Sequence, residues 1–228
     1  GGAGGLTGSL LGACILVALI VLGVLMTFLV SRLLSATILK GVPSSFTLEM
    51  PPYRRPQILK VIVRSIVDRT LKVLGRAVIS AAPAGLLIWV LANVPLSGQT
   101  TLLTALTGFL DPFARRLGMD GCILTGFLLG LPANEIVVPI IIMTYMARGS
   151  LLEVEGVQLM QLFTANGWTW ITAVSTLLFS LMHWPCATTL LTIRKESGSL
   201  KWTLLSFLVP TVCGIILCFL FTTAALFL

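Results

Sequence analysis

A chain of 228 residues that is 57% hydrophobic and only 10% charged, with a mean hydropathy of +1.04, has too little charge to cover a soluble domain of its size. That excludes the soluble classes and leaves an integral membrane protein. The net charge of +7 bears on orientation rather than on nucleic acid, because basic residues mark cytoplasmic loops.

The chain opens on Gly1-Gly-Ala-Gly-Gly without an initiator Met, which reads as an internal loop of a longer protein. No Gly-Lys-Ser/Thr follows, so these glycines are not a phosphate-binding loop; neither a nucleotide site nor a catalytic motif is visible, and the chain is not expected to be an enzyme. Leu10–Val30 is long enough to cross a hydrocarbon core of roughly 30 Å, and Arg32 and Lys40 after it mark the cytoplasmic side. The proline-punctuated segment Phe46–Pro56 cannot be helix throughout. Gln57–Gly75 then sets Lys60, Arg64, Asp68, Lys72 and Arg76 at a stride of four among apolar residues. This predicts a basic amphipathic helix lying on the anionic cytoplasmic leaflet; the alternative is a cytoplasmic extension of the next span.

Ala77–Val94 is that span, with a kink expected at Pro83, and Leu96–Gly118 reads as a short peripheral helix. Gly121–Met146 follows, broken at Gly130-Leu131-Pro132. If it crossed once, Arg115, Arg116, Arg194, Lys195 and Lys201 would lie outside. If it enters and returns as a hairpin, only Arg115, Arg116 and Arg148 do, so the positive-inside rule favours the re-entrant hairpin. Past an exposed segment, Arg148–Asn166, come a span over Trp168–Ile193 broken at Pro185 and a last span, Trp202–Leu228, with a kink expected at Pro210. The expected fold is thus an all-α, polytopic membrane bundle with broken and re-entrant helices. Residues 1–45 form a span and its cytoplasmic exit, 46–76 a basic surface linker, and 77–228 a membrane domain with a hairpin at 121–147 and spans at 77–94, 168–193 and 202–228.

Two constellations carry chemistry. Glu135 lies three residues past the Gly130–Pro132 break, and a carboxylate within an apolar segment marks a functional site by default. Pro139 has no N–H to give the carbonyl of Glu135, and Asn134 adds a carbonyl oxygen, together making a half-site for a hard cation. Asn134 could instead simply cap the helix, and Glu135 could cap it or pair with a buried base. In Met182-His183-Trp184-Pro185-Cys186, the only histidine sits three residues before a cysteine; imidazole and thiolate suit late first-row divalent metals. The competing reading makes Cys186 a small packing residue and His183 a hydrogen-bonded core histidine. Cys122, Cys14, Cys213 and Cys218 are expected to be packing residues, all five cysteines being reduced. The threonines of 169–192 are expected to bond to their own helix.

These residues resemble the ferrous iron transport protein B family of bacteria and archaea. Leu48-Glu-Met-Pro-Pro-Tyr-Arg-Arg-Pro56 looks like its Glu-x-Pro-x-Tyr-Arg segment. Gly130-Leu-Pro-Ala-Asn-Glu135 is similar to its Gly-x-x-Ala-Lys-Glu box, with Asn134 where many members have Lys. Phe179–Cys186 and Glu196–Trp202 resemble its Pro-Cys and Glu-x-Gly-Ser-x-Lys-Trp motifs. The resemblance implies the second of two gate repeats, with the GTPase and the first gate missing from this chain. It also implies Fe(II) as transported substrate, a multi-pass cell-membrane location, and a metal path lined by Glu135 and Cys186. The missing repeat or another copy of the chain would complete the gate. The alternatives are a gate-type carrier of nucleosides or of another divalent metal, and a membrane scaffold that transports nothing.

Overall fold

A computed structural model describes residues 3–37, 57–97, 100–146 and 157–227. The Glu49–Pro56 segment, Arg148, Glu153 and Glu155 lie outside them, as do the side chains of Asp68, Lys72 and Arg76. The chain divides into two compact units, Gly1–Val63 and Arg64–Leu228.

The first unit contains α1 (Ala3–Thr37). Its surface is apolar: Leu10, Leu16, Val24, Phe28 and Leu29 all stand exposed, so hydrocarbon rather than water is the solvent it is built for. Lys60 and Arg64 lie on α2 (Ile58–Arg64), also exposed.

In the second unit a π-helical stretch, Ser65–Leu71, runs directly into α3 (Lys72–Asn93), with Leu71 itself helical at φ −66°, ψ −37°. From Arg64 onward the basic segment therefore leads into the helix of the next span, and that helix continues through Pro83. The strands β1 (Pro95–Ser97) and β2 (Thr100–Thr101) pair antiparallel and lead to α4 (Leu102–Arg116), which Thr101 caps by accepting from the Thr104 N–H. Next come α5 (Gly121–Leu129), a 3₁₀ turn at Asn134–Ile136, and α6 (Val137–Tyr145). Beyond them lie α7 (Val157–Ala165), α8 (Trp170–Met182), α9 (Ala187–Ser197) and α10 (Leu200–Phe227). Gly198 ends α9 in the left-handed region at φ 62°, which glycine adopts without steric cost. The stretches Leu10–Thr37, Trp170–Ser197 and Leu200–Phe227 are long and apolar enough to cross a membrane. The fold is a helical membrane bundle.

Helices α5 and α6 pack as an antiparallel hairpin. A Cβ on Gly126 would meet Ile141, and one on Gly130 would meet Val137, so glycines spaced by four let the two backbones approach as small residues do between membrane helices. Each helix has nine residues, or roughly 14 Å at 1.5 Å per residue, about half the hydrocarbon thickness. Ile88 and Ala92 of α3, Leu103 of α4, Leu129 of α5, and Ile140 and Met143 of α6 form one buried core beneath the hairpin.

The start of α5 is tied to α4 by Asp111, which accepts from the Gly121 N–H at 3.0 Å and from Arg115 Nε at 2.6 Å. Burial opposes ionisation of Asp111, but the Gly121 N–H and the Arg115 guanidinium outweigh it and hold the carboxyl below its ordinary value. Because the folded-state pKa is depressed, this stabilisation is full above the unfolded value of 3.8 and fades as pH falls through the lower, folded one. We predict that Asp111→Asn removes that part of the acid dependence of thermal unfolding, measured in detergent, while leaving the neutral-to-basic side of the profile flat.

The two helix breaks

The first break begins where α5 ends at Gly130, whose N–H reaches the Gly126 carbonyl at 2.8 Å. Pro132 interrupts the ladder, and the chain resumes as helix only after Ala133. Glu135 therefore lies at the entrance to α6, where unpaired N–H groups and the helix dipole favour a carboxylate. Asn134 and Glu135 are exposed. Neither side chain caps the turn, and among the described residues no hydrogen bond or ion pair holds the Glu135 carboxylate.

The second break runs from His183 to Cys186, between α8 and α9. Pro185 supplies no N–H to the Leu181 carbonyl. Cys186 is the N-cap residue of α9, and Thr188 and Thr189 bring their hydroxyls to 3.1 Å from its sulfur. A helix N-terminus and neighbouring hydroxyls are surroundings that favour the thiolate form of a cysteine. The His183 Nδ1 lies 2.8 Å from the Ser180 carbonyl oxygen. Elsewhere the threonines do as the sequence implies: Thr176 donates to the Thr172 carbonyl, Thr192 to that of Thr188, and Thr169 caps α8.

The structure brings the two breaks together. The Ala187 N–H, the first of α9, donates to the Leu131 carbonyl in the middle of the first break at 2.8 Å. Each break satisfies a backbone group that the other leaves open. Aromatic packing reinforces the junction: Phe127 of α5 meets Phe179 edge-on at 4.9 Å, and Trp184 stacks on Phe207 of α10 at 5.6 Å. Among the described residues no group of three His, Cys, Asp or Glu side chains is assembled around one point. All five cysteines are free; Cys218 is buried with its sulfur on the Ser175 carbonyl, Cys122 and Cys213 are half-buried, and Cys14 is exposed on α1.

One cluster has no counterpart in the sequence reading. Asp120 caps α5 through the Ile123 N–H at 2.8 Å, and its other oxygen accepts from the Tyr145 hydroxyl. That hydroxyl in turn accepts from Trp168 Nε1 at 2.7 Å. Phe163 of α7 stacks on Trp168 at 4.1 Å. The two ends of the hairpin and the entry to α8 are thereby held by one hydroxyl. Asp120 ahead of an apolar run was a readable cap; Tyr145 carried no local signal. Tyr145→Phe leaves the Trp168 N–H and an Asp120 oxygen unpaired, and we expect a loss of about 1–3 kcal/mol, read as a lowered unfolding temperature in detergent.

Residues 74–200 match the family described as "Nucleoside recognition", the gate family, and residues 16–69 match "Ferrous iron transport protein B C terminus". Among curated proteins, the chain is similar to the Fe(2+) transporter FeoB of Staphylococcus aureus (strain MSSA476), 30% identical over 217 residues, 91% of this chain and 31% of the relative. It is similar also to those of Synechocystis, 28% identical over 92% of this chain and 33% of the relative, and Methanocaldococcus jannaschii, 26% identical over 83% and 29%. The chain spans about a third of the length of the curated relatives it matches. No solved structure matches it.

Proposed function

The chain belongs to the ferrous iron transport protein B family as its C-terminal membrane part, a gate-family domain, and from that premise we propose that it is a permease segment that moves Fe(II) into the cytoplasm. The observation that carries the reading is the hydrogen bond from Ala187 to Leu131. It sets side by side two helix breaks, one followed by Glu135 and the other ending on Cys186, and discontinuous helices at a shared point are where transporters place their substrate. In this reading the carboxylate of Glu135, with Asn134 beside it, accepts the hydrated cation, and the thiolate of Cys186 takes it on. A carboxylate with a thiolate suits a borderline divalent ion better than Mg(II) or Ca(II). Thr188 and Thr189, with hydroxyls 3.1 Å from the sulfur, favour the thiolate form there.

The working protein, in the same reading, adds a GTPase and a first gate to this segment and sits as a multi-pass protein in the cell membrane. Lys60 and Arg64 lie at the anionic cytoplasmic surface in this reading, where a basic residue is worth about 1 kcal/mol. The hairpin of α5 and α6 is re-entrant, dipping from the outer face.

Iron uptake by the full-length protein carrying Glu135→Gln or Cys186→Ser tests the proposal. We expect each to lower uptake by about tenfold or more, the cost of removing one ligand or its partner; normal uptake in both overturns the site. The gate family's description also motivates a nucleoside reading, with Asn134 and Glu135 binding hydroxyls. Thermal stabilisation by nucleosides but not by Mn(II) would favour it.

A further inference from the structure

Three described side chains hold a buried polar atom with no hydrogen-bond partner: Thr125 Oγ1, His183 Nε2 and Trp184 Nε1. His183 has a definite chemistry. A carbonyl oxygen only accepts, so the contact with the Ser180 carbonyl at 2.8 Å puts the ring proton on Nδ1 and leaves Nε2 as a bare lone pair. Metal-bound imidazoles are arranged in this way, one nitrogen donating to a backbone carbonyl to fix ring and tautomer while the other faces the ion. Around this imidazole, however, stand aromatic rings. Phe127 is 5.2 Å away between centroids, Trp184 6.0 Å and Phe179 6.2 Å. Phe127 belongs to the hairpin and is itself 2% exposed. A buried acceptor with no donor costs about 1–3 kcal/mol, which a site serving packing alone avoids by using an apolar side chain.

We propose that His183 Nε2 is a coordination position for a first-row divalent cation, and that Phe127 is the cover that closes it in this state. The cover and the ligand come from opposite sides of the junction between the breaks. Movement of the hairpin away from the His183–Cys186 segment therefore uncovers the nitrogen and loosens the Leu131–Ala187 bond together. Imidazole accepts Fe(II), Mn(II) and Zn(II) but serves Mg(II) poorly. The inference rests on the divalent-metal reading above and deepens it.

Carbethoxylation by diethyl pyrocarbonate in the full-length protein, located at His183 by mass spectrometry of its peptide, reports on its nitrogen. We expect slow reaction in the wild type and a rise of about tenfold in Phe127→Ala, as expected when a local opening becomes cheaper. Anaerobic Fe(II) should slow the variant's reaction and Mg(II) should not. Phe127→Leu keeps most of the side-chain volume and carries the test, with a smaller rise, if the alanine form does not fold. Equal rates in the wild type and the folded variants, or no protection by Fe(II), overturn the proposal. Protection reads His183 alone. If protection is seen while Glu135→Gln and Cys186→Ser transport normally, the binding site stands and the route through those residues falls; if protection fails while those variants lose uptake, only the His183 site falls.

Discussion

Gly121→Ala should unfold the membrane domain at markedly lower temperature than the wild type, although it adds a single methyl group. Gly121 is the first residue of α5, buried, with its N–H on Asp111. A Cβ there would run into the backbone carbonyl of Thr107 and come within 3.0 Å of the Asp111 backbone nitrogen. Backbone atoms of a packed helix cannot rotate aside, so α4 and α5 must separate. Overpacking of this kind costs about 1–3 kcal/mol and occasionally more, and the separation also pulls the Asp111 carboxylate from the Gly121 N–H. The control is Gly85→Ala on α3, where nothing lies within 4 Å of the added carbon; it should be neutral or stabilise by up to about 1 kcal/mol through helix propensity. Thermal unfolding of both in detergent decides the matter: similar midpoints for the two variants would mean that α4 and α5 are not in contact as described.

That contrast also marks where sequence reading succeeds and where it stops. The breaks at Gly130–Pro132 and at Pro185 were legible because a proline without an N–H interrupts a helix wherever its neighbours cannot repair the loss. At Pro83, Pro112 and Pro210 the helix runs on through the proline; in a membrane helix, neighbouring segments can satisfy the freed carbonyl. Charge favoured a segment that turns back, since a single crossing would have put more basic residues outside; what the structure adds is that Gly126 and Gly130 approach Ile141 and Val137 of α6 as in an antiparallel pair. What could not be read is every meeting between residues far apart in sequence. Leu131 with Ala187, Tyr145 with Asp120 and Trp168, and Phe127 with His183 leave no periodic trace, because each depends on how helices pack. The short β1–β2 pair and the π-helical turn at Ser65–Leu71 were likewise invisible: neither has a composition that distinguishes it from the loop or helix around it.

The strongest functional prediction uses a proline where a helix accepts one. Ala187 is the first residue of α9, a position proline favours because its N–H has no partner within the helix. Cys186 before it already has φ −62°, ψ 159°, the extended conformation a residue preceding proline prefers. Ala187→Pro should therefore leave α9 intact while removing the N–H that bonds to Leu131 at 2.8 Å. The ring carbon replacing that hydrogen also pushes the two breaks apart. We expect a modest loss of stability, about 0.5–1.5 kcal/mol for one hydrogen bond. Iron uptake by the full-length protein should fall by about tenfold or more, because displacing positioned groups by even 1 Å is disproportionately costly. Ala187→Ser, which keeps the N–H, should transport like the wild type. The two measurements together separate function from folding: wild-type uptake in Ala187→Pro would show that the junction serves stability alone. Uptake lost with little change in unfolding temperature is the outcome expected of a transport site assembled from both breaks.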